Sequence, residues 1–344
     1  MTRPPSLDDR PETSSHRHLR LLLFSRTSIA IGAILLVAIV GGVWWGWIFI
    51  NQRLVPLVEK NLNQLLGRPV QIGEVERFSL NSLRFGSMSI PATPTDPDRL
   101  AAKAVEVGFD LKQLLFNRTL ELNVTLVQPN VYMAQAKNGQ WVSTQINTQE
   151  GSGFIQTDLE TIRVQNADVV LVPNPEPGKP KGAVAIANVD GIALFLEQNQ
   201  RIKFELTGQP KTGGKLTIAG ETRPATLQQT TLNIQARNLL AADLSRLINL
   251  PINLQSGRVD GDIKVQLQPE GQQPAIFGTA SLENVTAQIA NISQLFTNTQ
   301  GKLQFQGQKI ALENVNTRYG KIPVQISGTL NTQTWQARPN CLYP

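Results

Sequence analysis

Residues 201–207 read RIKFELT: Ile202, Phe204 and Leu206 alternate with Arg201, Lys203, Glu205 and Thr207. Successive side chains on a strand point to opposite faces, so this stretch has one apolar side and one polar side. That is the pattern of an antiparallel sheet wetted on one face. The same beat returns in both directions along the chain. Leu120, Leu122, Val124 and Leu126 alternate with Glu121, Asn123 and Thr125. It recurs at Leu216/Ile218, Leu232/Ile234/Ala236, Ile263/Val265/Leu267, Leu303/Phe305 and Val324/Ile326. Turn chemistry punctuates these runs at Asn138-Gly139, Pro173-Asn174-Pro175, Gly213-Gly214, Asp260-Gly261 and Tyr319-Gly320. Short helical pieces are expected near Leu111–Leu115 and Asp243–Ile248. About 16 strands result, and the fold class is mainly β.

Composition narrows the architecture. Aromatic residues make up only 6% of the 344-residue chain, little with which to fill the thick core of a β-sandwich. An elongated, curled antiparallel β-groove, grown hairpin by hairpin around a thin core, suits the pattern better. Charged residues are sparse at 17%, and the net charge of +6 comes from scattered Lys and Arg. No basic stripe with interleaved aromatics is readable, so no nucleic-acid partner is expected. Cys341 is the single cysteine, which excludes an internal disulfide and CxxC chemistry. His16 and His18 are the two histidines and both precede the apolar segment described next. The body thus lacks the commonest general base and the commonest metal ligand, and we expect no catalytic residue, no metal and no cofactor.

From Thr27 to Gln52 there is no charged residue, and Ser28 to Ile50 is almost wholly apolar. Crossing a bilayer core of roughly 30 Å takes about 20 such residues in a helix. Trp44, Trp45 and Trp47 cluster toward one end, where indoles favour the headgroup region. A cleaved signal peptide would have a shorter apolar core and a small-residue cleavage site, so the segment reads as a retained anchor. Arg3, Arg10, Arg17, Arg20 and Arg26 precede it, against Arg53 and Lys60 close behind. The positive-inside rule therefore places the N-terminus in the cytoplasm and the body across the membrane. After the span, Leu54, Val58, Leu62 and Leu65 form one helical face, closed by Gly67 and Pro69. The expected organisation is a disordered cytoplasmic tail (1–26), a transmembrane helix (27–52), a juxtamembrane amphipathic helix (53–67), the groove (68–330) and an atypical tail (331–344).

Other motifs have plain readings. The stretch from Gly208 through Gly213-Gly214-Lys215 only faintly resembles a phosphate loop: Gly214 intervenes before the Lys, and Leu216 stands where Ser or Thr is needed. It reads as a strand–turn–strand hairpin. Asp260 and Asp262 flank Gly261 in an expected turn, and Asp96 and Asp98 flank Pro97 in a loop without an expected partner. Glycosylation sequons at Asn117, Asn123, Asn284 and Asn291 matter only on a eukaryotic secretory route.

The run LLGRPVQIGEVERFSLNSLRFG, from Leu65 to Gly86, resembles the opening of AsmA-like and TamB-like proteins. Later segments are similar to cyanobacterial TamB-domain proteins: residues 91–98 (PATPTDPD), 127–132 (VQPNVY), 139–142 (GQWV) and 314–320 (NVNTRYG). The resemblance covers roughly residues 20 to 333. It implies a repeating β-groove with an apolar inner wall, anchored in the inner membrane with its body in the periplasm. It also implies phospholipid movement between inner and outer membrane, and a TamA-type outer-membrane barrel as partner in protein assembly or translocation. The family's C-terminal domain is absent, and the strand pattern stops after Thr334, so the chain is expected to be an N-terminal fragment.

The physical logic of such a groove stands apart from the resemblance. Burial from water is worth about 0.8 kcal/mol per CH₂, on the order of 12 kcal/mol for a 16-carbon tail. Aqueous passage is therefore prohibitive, whereas a wall of Leu, Ile, Val and Phe resembles the bilayer interior. The residues expected to line it are Leu122, Leu126, Phe204, Leu206, Ile218, Ile234, Val265 and Phe305, with Glu121, Lys203, Glu205 and Lys264 facing water. The alternative is a non-conducting scaffold for an outer-membrane assembly machine. An open trough would favour the first reading and a closed, filled sandwich the second.

Overall fold

The computed structural model describes residues 68–110 except Leu80 and Thr95, Gln113, Phe116, and 119–136, 156–174, 182–223, 230–247, 252–267, 275–289 and 292–331. The expected tail, transmembrane helix and juxtamembrane helix lie outside these residues. So do the Asn138-Gly139 turn, residues 139–142 and most of the expected helical piece at 111–115. Among the described residues no helix is long and apolar enough to cross a membrane.

One curled sheet accounts for almost everything described. Its strands are β1 (Gln71–Ile72), β2 (Val75–Ser79), β3 (Ser82–Phe85), β4 (Met88–Ile90), β5 (Arg99–Ala102), β6 (Ala104–Phe109), β7 (Thr119–Val127), β8 (Asn130–Ala134) and β9 (Gln156–Val172). They continue as β10 (Val184–Leu196), β11 (Arg201–Pro210), β12 (Lys215–Thr222), β13 (Thr231–Leu240), β14 (Ile252–Gln266), β15 (Ala275–Ile289), β16 (Phe296–Gly307), β17 (Lys309–Tyr319) and β18 (Ile322–Asn331). One short helix, α1 (Ala241–Leu247), interrupts the series. From β9 to β18 every strand pairs antiparallel with the next. The exceptions to antiparallel pairing are β7 and β8, which both run parallel to β9. A parallel join needs a connection of a dozen or more residues, and residues 135–155 supply it.

A crease runs across this sheet. β9, β10, β13, β15, β16 and β17 each carry an Asn in the left-handed region: Asn166, Asn188, Asn238, Asn284, Asn298 and Asn314, with φ between 49° and 53°. Asn visits this conformation more readily than other side-chain-bearing residues because its short amide bonds locally. Register shifts in the ladders fall beside these positions, as at Ala236/Leu239, Leu282/Val285 and Leu312/Val315. These are β-bulges, which bend a strand and exchange the face of the residues that follow. Thus in β15 the inward set is Ile276, Gly278, Ala280 and Leu282 before Asn284, and Val285, Ala287 and Ile289 after it. In the N-terminal part the same crease falls at Gly73-Glu74, Gly86-Ser87, Lys103 and Gln128-Pro129, between strand segments that run in line.

The crease divides the sheet into two walls. The long wall runs β2, β3, β6, β7, then through one arm of β9 and β10, all of β11 and β12, and one arm of each strand from β13 to β18. The short wall runs β1, β4, β5, β8 and the other arms of β9, β10 and β14 to β18. Burial is deepest at the bend: Ala167 is 1% exposed and Val285 0%, with Val189, Leu239, Val259 and Val315 also buried. Each hydrophobic cluster there takes residues from both walls. Val169 and Leu171 join Leu206 and Leu216 in one, and Leu254 joins Ile263 and Phe305 in the other. The sheet therefore bends toward its apolar face, and the concave side is the apolar side.

Two sequence expectations are corrected. Asp260-Gly261 is not a turn: it lies inside β14, paired with Ser281 and Ala280 of β15. Gly261 faces inward beside Ala280, where a Cβ would make ordinary van der Waals contact at 3.6 Å, so the strand accepts the Asp-Gly pair without a turn. Asp96 and Asp98 do have partners. Arg68 Nη1 donates to Asp96 Oδ2 at 3.1 Å in a largely buried ion pair, and Asp98 Oδ1 accepts from the Ala134 amide at 2.8 Å. Arg68 also reaches the carbonyls of Pro91 and Asp98, so the loop from 91 to 98 is tied to the first turn of the sheet.

Candidate functional site

Directly paired residues share a face of a sheet, so the ladders can be followed from strand to strand. On the long wall, Phe109 pairs with Leu122 and Val105 with Leu126; these two pair onward with Leu159 and Val164 of β9. Val164 pairs with Gly191, Gly191 with Leu206, and Leu206 with Ile218. Ile218 pairs with Ile234, and Ile234 with Ile263. Leu232 pairs with Val265, Ile263 with Gly278, and Gly278 with Phe305. Phe204 joins the same face through Ala193 and Gly220. The structure thus brings Leu122, Leu126, Phe204, Leu206, Ile218, Ile234, Val265 and Phe305 onto one continuous inner face. All eight are half-buried.

The outward set behaves differently. Lys203, Glu205 and Lys264 are exposed, and Glu121 is half-buried, in a shallow rim depression with Glu160, Phe195 and Asn199. The convex surface carries ion pairs such as Arg237 with Asp262 at 2.8 Å and Arg201 with Glu197 at 2.9 Å. These are solvent-exposed or partly so, and contribute little to stability.

Inner-face glycines were not anticipated as part of the site, yet they shape it. A Cβ on Gly220 would stand 2.6 Å from Phe204 Cζ, and one on Gly191 would stand 2.3 Å from Leu206 Cδ2. Both bulky side chains lie down over a neighbour that has none, so they pave the wall instead of crossing the trough. The signal was present in the sequence as glycines recurring at inward positions of alternating strands.

Exposure is graded along the trough. At the N-terminal end Val75, Leu83, Phe85, Ala104 and Val105 are all buried, with Phe85 only 2% exposed. From β11 onward most large inward residues of the long wall are half-buried. Among the described residues no group of three or more His, Cys, Asp or Glu side chains is placed to hold a metal ion.

An open apolar trough paved on one side and polar on the other defines this chain as a mainly β protein of the creased-sheet kind. No family model matches it. It is similar to Protein TIC236, chloroplastic, of Arabidopsis thaliana, at 24% identity over 151 residues, covering 41% of this chain and 7% of that protein. It is also similar to Protein SUBSTANDARD STARCH GRAIN 4, chloroplastic, of Oryza sativa subsp. japonica, at 25% identity over 114 residues, covering 33% of this chain and 5% of that protein. The chain thus matches less than a tenth of the length of either relative.

Proposed function

We propose that the creased sheet is a trough for the acyl chains of phospholipids, in a TamB-like protein held at the inner membrane by the apolar segment 27–52. The observation that carries this reading is the single inner face on which eight bulky apolar side chains stay half-exposed. A sandwich interior would bury them fully, and a wetted surface would not place them all on one side. Half-exposed Leu, Ile, Val and Phe on a concave wall leave apolar area for a ligand to cover, worth roughly 25 cal/mol per Å². The Gly-Arg-Pro-Val turn and the segment 91–98, both family-like in sequence, are also joined physically by Arg68 and Asp96, which supports the TamB-like assignment. Passage between inner and outer membrane, and a barrel partner at the far end, belong to the same proposal.

Photo-crosslinking tests it. A benzoylphenylalanine at Ile234 or Val265 should capture phospholipid, identified by mass spectrometry, whereas one at Lys203 or Lys264 should not. Phe204→Arg should lower capture at Ile234 while circular dichroism stays unchanged, because a long Arg can keep its head in the open trough. A folded F204R chain with undiminished capture would falsify the trough.

A further inference from the structure

The short wall has a window. Between β10 and β14 the long wall is made by β11, β12 and β13, of which β11 and β13 run only two residues past the crease. The short-wall arm of β10 pairs with β9 on one side; among the described residues, its other side beyond the crease meets only the end of β11, Gln209 and Pro210, and the Lys211 amide, which donates to Ala185 O at 2.8 Å. Among the described residues the short-wall arm of β14 pairs with β15 alone. Four strand spacings separate β10 from β14, about 19 Å, and a helix of about 10 Å diameter fills such a gap. That helix is α1. Leu247 packs against the β9–β10 cluster, Leu244 packs against the β14–β15 cluster, and Ser245 Oγ accepts the free Leu254 amide at 2.7 Å. A seven-residue helix is the only described element closing this part of the trough.

The margin of the window is cationic. Lys211 and Lys215 flank the Gly213-Gly214 turn and are exposed. Arg258 donates to the carbonyls of Thr212 and Asn238, both at 3.1 Å, which lays its guanidinium against Gly213. None of the three has a carboxylate partner among the described residues. The neighbouring charges are already matched: Arg237 with Asp262, and Arg246 with Asp243 at 2.7 Å. Two further carboxylates lie close by: Asp260, which accepts the Asn238 amide at 2.8 Å, and exposed Glu283, which stands opposite Arg258 in the β14–β15 ladder without forming an ion pair among the described residues. The turn is also mechanically joined to the helix, since Thr212 Oγ1 donates to buried Asp243. Arg246, on the helix, buries an Nε that has no acceptor among the described residues.

We infer that this window is a lateral port through which a phospholipid enters or leaves the trough. Its phosphate is held outside by Lys211, Lys215 and Arg258, and its tails pass where α1 now packs. The inference rests on the trough reading above. Charge complementarity selects an anionic phospholipid as the occupant. The hairpin that only faintly resembles a phosphate loop would then meet phosphate after all, through side-chain charge and not through a nucleotide cradle.

The test uses the full chain reconstituted in vesicles of phosphatidylglycerol or of phosphatidylcholine doped with diacylglycerol, with benzoylphenylalanine at Leu247 or at Phe204. In phosphatidylglycerol both positions should capture lipid. Lys211→Glu with Lys215→Glu should reduce capture at both by roughly tenfold or more, at about 1 kcal/mol per cation beside an anionic surface. Lys203→Glu with Lys264→Glu, on the same convex face but away from the window, should change neither. Diacylglycerol, which lacks the phosphate, should be captured poorly at Leu247. Undiminished capture at Phe204 in the K211E/K215E chain, an equal loss in K203E/K264E, or equal capture of diacylglycerol would each overturn the port alone. No lipid at Phe204 in the otherwise unchanged chain would remove the trough, and the port with it.

Discussion

Asn284 shows at the scale of one residue how the crease is made. Its φ of 51° is accessible to Asn at small cost, and the next residue, Val285, is then turned inward and wholly buried. Alanine in the left-handed region costs about 1–2 kcal/mol, whereas glycine enters it freely. Asn284→Ala should therefore lower stability by about 1 kcal/mol, and Asn284→Gly by only a few tenths. Denaturant midpoints of the two variants measured side by side decide the matter; equal losses would mean that the amide's bond to Gln300, not the backbone, holds the bend. Gly257 does the same work in β14, with φ 97°, and a Cβ there would press on the backbone of Val285 at 2.5 Å.

Among the elements, α1 carries a burden out of proportion to its length. It is too short to be stable alone, so its packing and its side-chain bonds must hold it in the window. Ser245 is the clearest case: it is 2% exposed, and its hydroxyl satisfies the backbone amide that β14 cannot pair at its free edge. Ser245→Ala should cost about 1–2 kcal/mol, the penalty of leaving a buried donor unmet. The loss should be read from thermal or urea unfolding. Backbone amides near Leu254 should also exchange faster in that variant, which a simple loss of helix propensity would not produce. Arg68 plays a comparable part at the other end, where one guanidinium gathers Asp96 and two carbonyls of the 91–98 loop.

Across the whole sheet, stability should be graded from bend to edge. The crease concentrates the fully buried residues, while among the described residues β18 pairs on one side only, and Ile322 is 64% exposed. Local opening is cheapest where few apolar contacts are lost. Hydrogen exchange should accordingly be slowest at Ala167, Val285 and Val315 and fastest in β18 among the strands. Uniform protection from bend to edge would contradict the view of a thin core organised along a line.

The alternation of Ile202, Phe204 and Leu206 with charged neighbours was enough to assign strands and to say which side chains share a face, because a period of two is a local property of extended backbone. Glycine pairs at 213–214 and the Tyr319-Gly320 step marked real hairpins for the same local reason. Asp260-Gly261 lies in a strand and not a turn: the same dipeptide fits either, and only its neighbours across the ladder, Ser281 and Ala280, distinguish the two. The Asn residues at the crease were visible as interruptions of the alternation, but one interruption does not announce a line of them; their alignment comes from register across many strands. The partner of Asp96 lies 28 residues away, and the window beside α1 exists only because three strands end at or just past the bend. Faces follow from the chain's own periodicity, whereas the direction of the bend, the trough it encloses and the gap in its wall depend on which distant segments come to lie side by side.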